Sequence, residues 1–383
     1  MRALLLSAYD AQSHRAWRNN LKLMFPAIAW KELTLPARHF PWRVRGNSVT
    51  WAFNHRDALT DNYDFLLSTS MSDLSALRGF VPQLSQIPNI VYYHENQFAY
   101  PDNPNPNAKA INRVEPQILS LYTALCADQL VFNSAYNRDS FRQGAQALLK
   151  KLPDYVPNGL LECVDKALIL PVPLCEEVYT TTSAQRNADR SVLEIVWNHR
   201  WEYDKGPDLL LAIVQQLAQR NTRFRLHLLG QRFRFTPDAM TQLQSILHQY
   251  YADTGISPGI DAYLENESDY HHCLASADVA LSTADHDFQG LSVLEAAALG
   301  CAPLAPNRLV YPEYLSERNC YRHSSDLDST VNSAVSVLQD WATRKNNSQA
   351  LPGVDTQRFR QSQLRQSYAA LFESALSKPK CRK

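Results

Sequence analysis

Glycine is scarce in this chain, with 11 residues in 383, and neither G-x-G-x-x-G nor G-x-x-x-x-G-K-[ST] occurs. Dinucleotide oxidoreductases and P-loop nucleotidases therefore lack the backbone cradle that their chemistry needs. Any phosphate bound here must be held by side-chain cations and a helix N-terminus. The seven cysteines show no C-x-x-C and no paired metal-type spacing, and an odd number cannot close a full disulfide framework. They read as reduced thiols, mostly buried, in a cytoplasmic protein. Long hydrophobic runs are missing too. The apolar stretch in MRALLLSAYD is too short for a signal sequence or a membrane span, and reads as a first strand. Net charge is also absent: 38 Lys and Arg balance 38 Asp and Glu, so overall charge selects no partner.

Short apolar strands alternate with helical stretches, the pattern of parallel sheets covered by helices. In the first half the candidate strands are Ala3–Ser7, Trp30–Thr34, Phe65–Thr69, Asn89–Tyr93, Gln129–Phe132 and Lys166–Pro171, with helices such as Ala16–Met24 and Arg113–Ala127 between them. The polar stretch 175–190, rich in Thr, Ser, Asn and charge, reads as a linker. Strands resume at Leu193–Trp197, Phe224–Leu229, Ile260–Tyr263, Val279–Ser282 and Ala302–Ala305, with helices at Asp208–Arg220 and Leu291–Leu299. A closing helix, about Asp355–Leu376, is long enough to cross a domain junction. The expected organisation is a Rossmann-like domain at 1–175, a linker at 176–191, a second such domain at 192–350, and a C-terminal helix and tail at 351–383.

Two features of the second half suit a diphosphate. Past the apolar strand at Leu193–Trp197, WNHRWEYDK (197–205) places Arg200 and Lys205. Cations at the carboxyl end of a parallel strand face the crevice in which α/β sheets bind ligands. A helix is expected to open at Gly206-Pro207, proline suiting a first turn. The second feature is STADHDFQGLSVLEAAALGCAPL (282–304), which reads strand, polar loop, Gly290, helix. Backbone N–H groups at Gly290, Leu291 and Ser292 would point at an anion with the helix dipole behind them. Gly290 also lets a phosphate approach with no β-carbon in the way. Glu295, about one turn further, is placed to accept hydrogen bonds from a ribose diol. A solvated Arg–Lys pair and an acid near a helix N-terminus are the plainer readings of the same residues. Asp285-His286-Asp287 is formally a DxD metal motif, but cations beside it make Mg²⁺ redundant. His271-His272 with Asp269 offers too few ligands, and no metal site is expected.

The segment HDFQGLSVLEAAALGC (286–301) resembles the E-x7-E segment of the retaining GT-B glycosyltransferases of family 4, with Asp287 where glutamate is usual. HRWEYDK (199–205) resembles the diphosphate clamp of that family. With LPARHFPWRVR (35–45), YYHENQFAYP (92–101), VFNSAYNRDSF (131–141) and LVYPE (309–313), these stretches are similar to the tRNA-queuosine α-mannosyltransferase family over about residues 1–320. The resemblance implies an α/β GT-B fold, two Rossmann-like domains whose parallel sheets face an interdomain cleft. It implies retaining transfer of mannose from GDP-mannose, a co-substrate, to the queuosine nucleoside of tRNA, with no metal or other cofactor. Arg200 and Lys205 would then neutralise the diphosphate. Gly290, Leu291 and Ser292 would hold the β-phosphate, Glu295 the ribose and Asp287 the donor-sugar hydroxyls.

His94 would contact the transferred sugar or the acceptor, and further acceptor contacts are expected from His14, Arg15, Arg43, Glu95, Asn96 and Asn133. The basic first stretch, with Arg15, Arg18, Arg38, Arg43 and Arg45, would hold the anticodon arm. Two other classes stay open. One is transfer to a lipid or small molecule, with Ala16–Met24 as a basic amphipathic helix at a membrane surface. The other is a non-catalytic RNA-binding protein on a transferase fold. No stable membrane association is expected, and the sequence is silent on oligomeric state.

Overall fold

A computed structural model describes residues 1–101, 113–153, 155–157, 159–180, 189–233 and 235–377. The chain divides into two compact units. The first takes in Met1–Tyr100 and, among the described residues, 113–173 and 359–377; the second takes in Leu174–Arg358.

The first unit is built on β1 (Arg2–Asp10), β2 (Ala29–Pro36), β3 (Phe65–Thr69), β4 (Asn89–Tyr93), β5 (Gln129–Phe132) and β6 (Leu168–Ile169), in the spatial order β2-β1-β3-β4-β5-β6. Every pairing is parallel. β3 and β4 are buried along their whole length, which is why they read as unbroken runs rather than alternating ones. The second unit carries β7 (Leu193–Asn198), β8 (Phe224–Leu229), β9 (Val279–Leu281), β10 (Ala302–Pro306) and β11 (Cys320–Tyr321), also parallel, in the order β11-β10-β9-β7-β8. In each sheet the first strand lies between the second and the third. The crossovers diverge there, opening a crevice at the carboxyl ends of β1 and β3, and of β7 and β9.

Several expectations need correction. Ile260–Tyr263 is not a strand: only Asp261 pairs, through one bridge to Leu228. The strand expected over Lys166–Pro171 shrinks to Leu168–Ile169, because the Glu162–Asp165 turn occupies the chain just before it. Phe40–Asn54, which carries most of the LPARHFPWRVR motif, is a helix. The closing helix runs Gln361–Ser377 after a short 3-10 turn at Gln357–Phe359. Within the first unit, Gln361 Nε2 donates to Asn20 Oδ1 (2.9 Å), Trp17 Nε1 donates to the Tyr368 hydroxyl (3.0 Å), and Phe372 stacks on Phe65 (5.1 Å). Of the expected linker, Glu177–Thr180 is a helical turn with Val178 buried, and 181–188 lie outside the described residues.

The first helix runs Gln12–Met24 and buries Trp17, Leu21 and Met24 inside its own unit. The apolar face that a membrane-surface helix would have to present is therefore already used. Among the described residues no helix is long and apolar enough to cross a membrane.

Candidate active site

In the second unit the clamp begins where β7 ends. A 3-10 turn at Tyr203–Lys205 follows, and Gly206 then caps the Pro207–Gln219 helix in the left-handed conformation (φ +63°). A β-carbon at Gly206 would lie 2.0 Å from the Thr283 carbonyl oxygen, so only glycine lets this turn close on the loop after β9. Thr283 joins the two segments, accepting from Trp197 Nε1 (2.9 Å) and donating to the Lys205 carbonyl (2.8 Å). The Asp285 and His286 amides both donate to the Asp204 carbonyl (2.9 and 3.1 Å).

Lys205 is 7% exposed. Its ammonium donates to the His286 carbonyl (2.6 Å) and Asp287 Oδ1 (3.2 Å) and lies 3.3 Å from Asp204 Oδ2. Arg200 is exposed, paired with Glu202 and, at 3.2 Å, with Asp204. Asp287 also accepts from the Tyr311 hydroxyl (2.7 Å). Burial pushes its pKa up, but the Lys205 ammonium and the Tyr311 hydroxyl oppose that, and it is held below the ordinary carboxylate range. Within the Asp285-His286-Asp287 run, Asp285 pairs with Arg308, and Asp287 accepts from an ammonium and a phenol. His271, on the Glu267–Ser276 helix, lies 3.9 Å from Glu267.

The helix after β9 runs Leu291–Ala298, capped by Gly290 at φ +67°. Leu291 and Ser292 form its first turn, half-buried, with Glu295 four residues beyond Leu291. Burial pushes the Glu295 carboxyl up to about 7, against the hydrogen bond from Tyr270 and with the nearby Glu267 charge adding to the rise. The Tyr270 hydroxyl, 3.3 Å from Glu295 Oε2, itself accepts from Asn198 Nδ2 (3.0 Å), and Asn198 also donates to the Ser292 carbonyl (2.9 Å). One end of β7 thus holds both the cations and the acid. Lys205, Arg200, Asp287, Gly290, Ser292 and Glu295 come together around the β7–β9 crevice. Sequence reasoning missed Asp204, Tyr270, Ser282 and Tyr311. Tyr311 lies inside the LVYPE stretch singled out above, and that was its only signal.

The first unit gathers His94 and His14. His94 follows β4, its ring 4.1 Å from that of His14, and packs against Trp17 and Tyr92. Burial, and for His94 the neighbouring His14, push both below the usual imidazole range, His14 to about 4. Burial thus favours the neutral form of both rings, and among the described residues His94 Nδ1 and Nε2 and His14 Nδ1 have no hydrogen-bond partner. Asn96 and Asn133 play a different part from the one expected. Asn96 Oδ1 accepts from the Phe98 and Ala99 amides (2.9 and 3.0 Å), and its Nδ2 donates to Asn137 and Ser140. Asn133 Nδ2 donates to the His94 carbonyl (2.9 Å) while its Oδ1 accepts from Asn137 (2.8 Å). These amides are spent shaping the turn that carries His94. Glu95 lies on the same turn, half-buried.

The basic residues divide. Arg18 is buried, bidentate on Asp10 (3.0 and 2.8 Å) and paired with Glu32, so its charge is already used inside the unit. Arg45 is held by Asp73 and Glu115. Arg15 stays exposed, 3.7 Å from Asp10, and Arg43 Nε donates weakly to the Pro36 carbonyl (3.4 Å).

Known proteins resemble this chain in sequence and fold. Residues 180–350 match the family model described as Glycosyl transferases group 1, and residues 2–174 match that of the tRNA-queuosine alpha-mannosyltransferase N-terminal region. In fold the chain is similar to Anabaena Alr3699/HepE in complex with UDP and glucose (TM-score 0.62, 14% identity, 98% of this chain and 100% of that one). It is also similar to sucrose-phosphate synthase from Thermosynechococcus elongatus (TM-score 0.63, 12% identity, 98% of each chain). These likenesses place the two parallel sheets in the GT-B fold. The tRNA-queuosine alpha-mannosyltransferase of Drosophila melanogaster is 30% identical over 356 residues, 90% of this chain and 89% of its own length. With a likeness of that extent across both units, the chain is a glycosyltransferase and belongs to the tRNA-queuosine alpha-mannosyltransferase family.

Proposed function

We propose that this chain transfers mannose from GDP-mannose to the queuosine nucleoside of tRNA in the cytoplasm, with retention of configuration. The observation that carries the donor half is Lys205, buried between Asp204 and Asp287 at the end of β7, beside the helix that opens at Gly290. An ammonium held so rigidly offers fixed positive charge where a diphosphate leaving group becomes more negative, and preorganised charge of this kind acts most strongly in the transition state. Arg200 adds a second cation, and the Leu291 and Ser292 amides complete the β-phosphate site. Together they supply the charge that a metal supplies in other transferases. Asp287 retains lone pairs on both oxygens for donor-sugar hydroxyls. The matching family model over residues 2–174 and the Drosophila relative's name support the acceptor, with His94, His14, Arg15 and Arg43 as its contacts. In the step itself the bond between the anomeric carbon and the diphosphate oxygen breaks. The acceptor oxygen bonds to that carbon from the same face, and its proton passes to the departing phosphate oxygen.

The test is transfer of labelled sugar from a panel of nucleotide sugars to bulk tRNA with and without queuosine. Label is expected from GDP-mannose into queuosine-containing tRNA alone, released by an α-specific mannosidase. Incorporation that ignores queuosine, or none into RNA, would sink the proposal while leaving the fold intact.

Glu295 gives this reading a pH signature. Its carboxyl is pushed up to about 7, so the ionised fraction rises as pH climbs through that value. A ribose diol donates more strongly to the carboxylate than to the protonated acid, whose acceptor capacity is reduced, so binding favours proton loss. GDP affinity is expected to rise roughly tenfold from pH 6 to pH 8, with proton release on binding. Calorimetry in buffers of different ionisation enthalpy measures both quantities. Glu295→Gln should bind more weakly and lose the pH dependence, whereas an unchanged slope in that variant would remove Glu295 from the ribose.

A further inference from the structure

The two ends of the donor site are joined inside the protein by an unbroken set of hydrogen bonds. Asp287 Oδ2 lies 2.7 Å from the Tyr311 hydroxyl, which lies 2.7 Å from Ser282 Oγ. Ser282 Oγ lies 3.0 Å from His199 Nε2, and His199 Nδ1 lies 3.3 Å from Ser292 Oγ in the first turn of the Leu291–Ala298 helix. The three middle residues are buried, Ser282 and Tyr311 completely and His199 to 3% exposure, while Asp287 and Ser292 are partly exposed. The motifs HRWEYDK and LVYPE each contribute one member, His199 and Tyr311, and neither has a role in the donor contacts described above.

Burial pushes the His199 imidazole down to about 4, and with that ring neutral elementary valence fixes the direction of every proton. An ionised Asp287 only accepts, so Tyr311 must donate to it. A phenol has one hydrogen, so Ser282 must donate to Tyr311. Ser282 Oγ then accepts from His199 Nε2–H, and it also accepts from the Ala284 amide (3.3 Å), which fills its remaining capacity. A neutral imidazole protonated at Nε2 is an acceptor at Nδ1, so the Ser292 hydroxyl donates to it. All four side-chain hydrogens point one way, from the helix N-terminus to the carboxylate. Hydrogen bonds in such a chain strengthen one another, and the buried setting magnifies the effect.

We propose that Ser282, His199 and Tyr311 are positioning residues that form a directed relay, fixing the Asp287 carboxylate and coupling it to the phosphate-binding turn at Ser292. The relay rests on the donor-site reading above. It leaves the Ser292 amide, and not its hydroxyl, to meet the phosphate. A diphosphate that drew the Ser292 hydroxyl to itself would withdraw the first hydrogen of the chain and loosen Asp287 at the other end. Occupancy of one half of the donor is thereby communicated to the group that holds the other half.

Two measurements test this. The first needs no activity. Nitrogen-15 shifts of labelled histidine in the free protein, with His199→Gln for assignment, are expected to show His199 protonated at Nε2 and bare at Nδ1. The Nδ1-protonated tautomer overturns the relay whatever the chain transfers. The second is a kinetic cycle. Tyr311→Phe is expected to lower kcat about tenfold to a hundredfold with the donor KM within about threefold, because the interaction lost acts through Asp287. Ser292→Ala combined with Tyr311→Phe should cost roughly no more than the worse single change, since residues in one network do not add. In a Ser282→Ala background that coupling should vanish. Additive effects overturn the relay, and coupling that survives Ser282→Ala assigns it to packing near Gly290 instead. A wild-type chain that shows the Nε2 tautomer yet transfers no mannose would sink the proposed function and leave the hydrogen-bond chain standing.

Discussion

Lys205→Ala is expected to lower kcat/KM for transfer several hundredfold, the effect of removing a preorganised charge worth about 3–4 kcal/mol in the transition state. Among the described residues Arg200 is the other cation of the clamp, and it is no substitute. Arg200 is half-exposed and shared between Glu202 and Asp204, so it does not move into the vacated position without breaking those pairs. The substitution also leaves Asp204, 1% exposed, and Asp287 facing each other without their common cation. Breaking a buried ion pair on one side costs about 3–5 kcal/mol of stability, so thermal melting must accompany the kinetics. Arg200→Ala separates the two effects, because a half-exposed cation contributes little to folding. It should keep its melting temperature while losing roughly tenfold in kcat/KM. A folded Lys205→Ala enzyme within about threefold of wild type in nucleotide-sugar turnover would remove the clamp from the mechanism.

Gly290→Ala should be nearly as damaging, through backbone and packing rather than charge. At φ +67° a β-carbon costs about 1–2 kcal/mol. It would also lie 2.6 Å from the Tyr314 hydroxyl and 3.0 Å from Tyr311 Cε1. Tyr311 has no freedom to retreat, since its hydroxyl is held by Ser282 and Asp287, and overpacking of this kind adds about 1–3 kcal/mol. The helix N-terminus would shift and the phosphate lose its close approach, so GDP affinity is expected to fall about a hundredfold. Differential scanning calorimetry and GDP titration read the two losses separately. Full affinity in a destabilised protein would mean that the phosphate does not lie at this helix.

Much of this was legible in the sequence, for identifiable reasons. Strands buried on both faces, such as Phe65–Thr69 and Asn89–Tyr93, declare themselves as short runs of β-branched and aromatic residues, and their observed limits are those expected. Ile260–Tyr263 carries the same signal but finds only a bridge at Asp261, since pairing depends on a neighbour that the local sequence does not reveal. The Phe40–Asn54 helix was masked by Pro41 and Gly46, one suited to a helix start and the other covered by the Trp42 ring. At the site, cations after an apolar strand and a glycine before a helix were visible because each is local. Asp204 was visible as a residue but not as the partner of Lys205, and Tyr311 meets Asp287 only because β9 and β10 are adjacent. Polarity alone also misled. Asn96 and Asn133 read as ligand contacts, yet an amide that caps a turn and one that faces a substrate look alike in sequence.

The return of the chain to its first unit bears on how the protein is made. Trp17 and Tyr92 have their cover in Tyr368, and Phe65 in Phe372, both from the Gln361–Ser377 helix. During synthesis the second unit emerges complete while the first still lacks a wall. The ribosome thus presents a nearly finished first sheet with an open aromatic face until the residues past Phe359 are translated, a state prone to mispairing and to chaperone capture. A stop codon between the two units' last residues would accordingly harm the half of the protein made earliest, not the half being made when synthesis stopped.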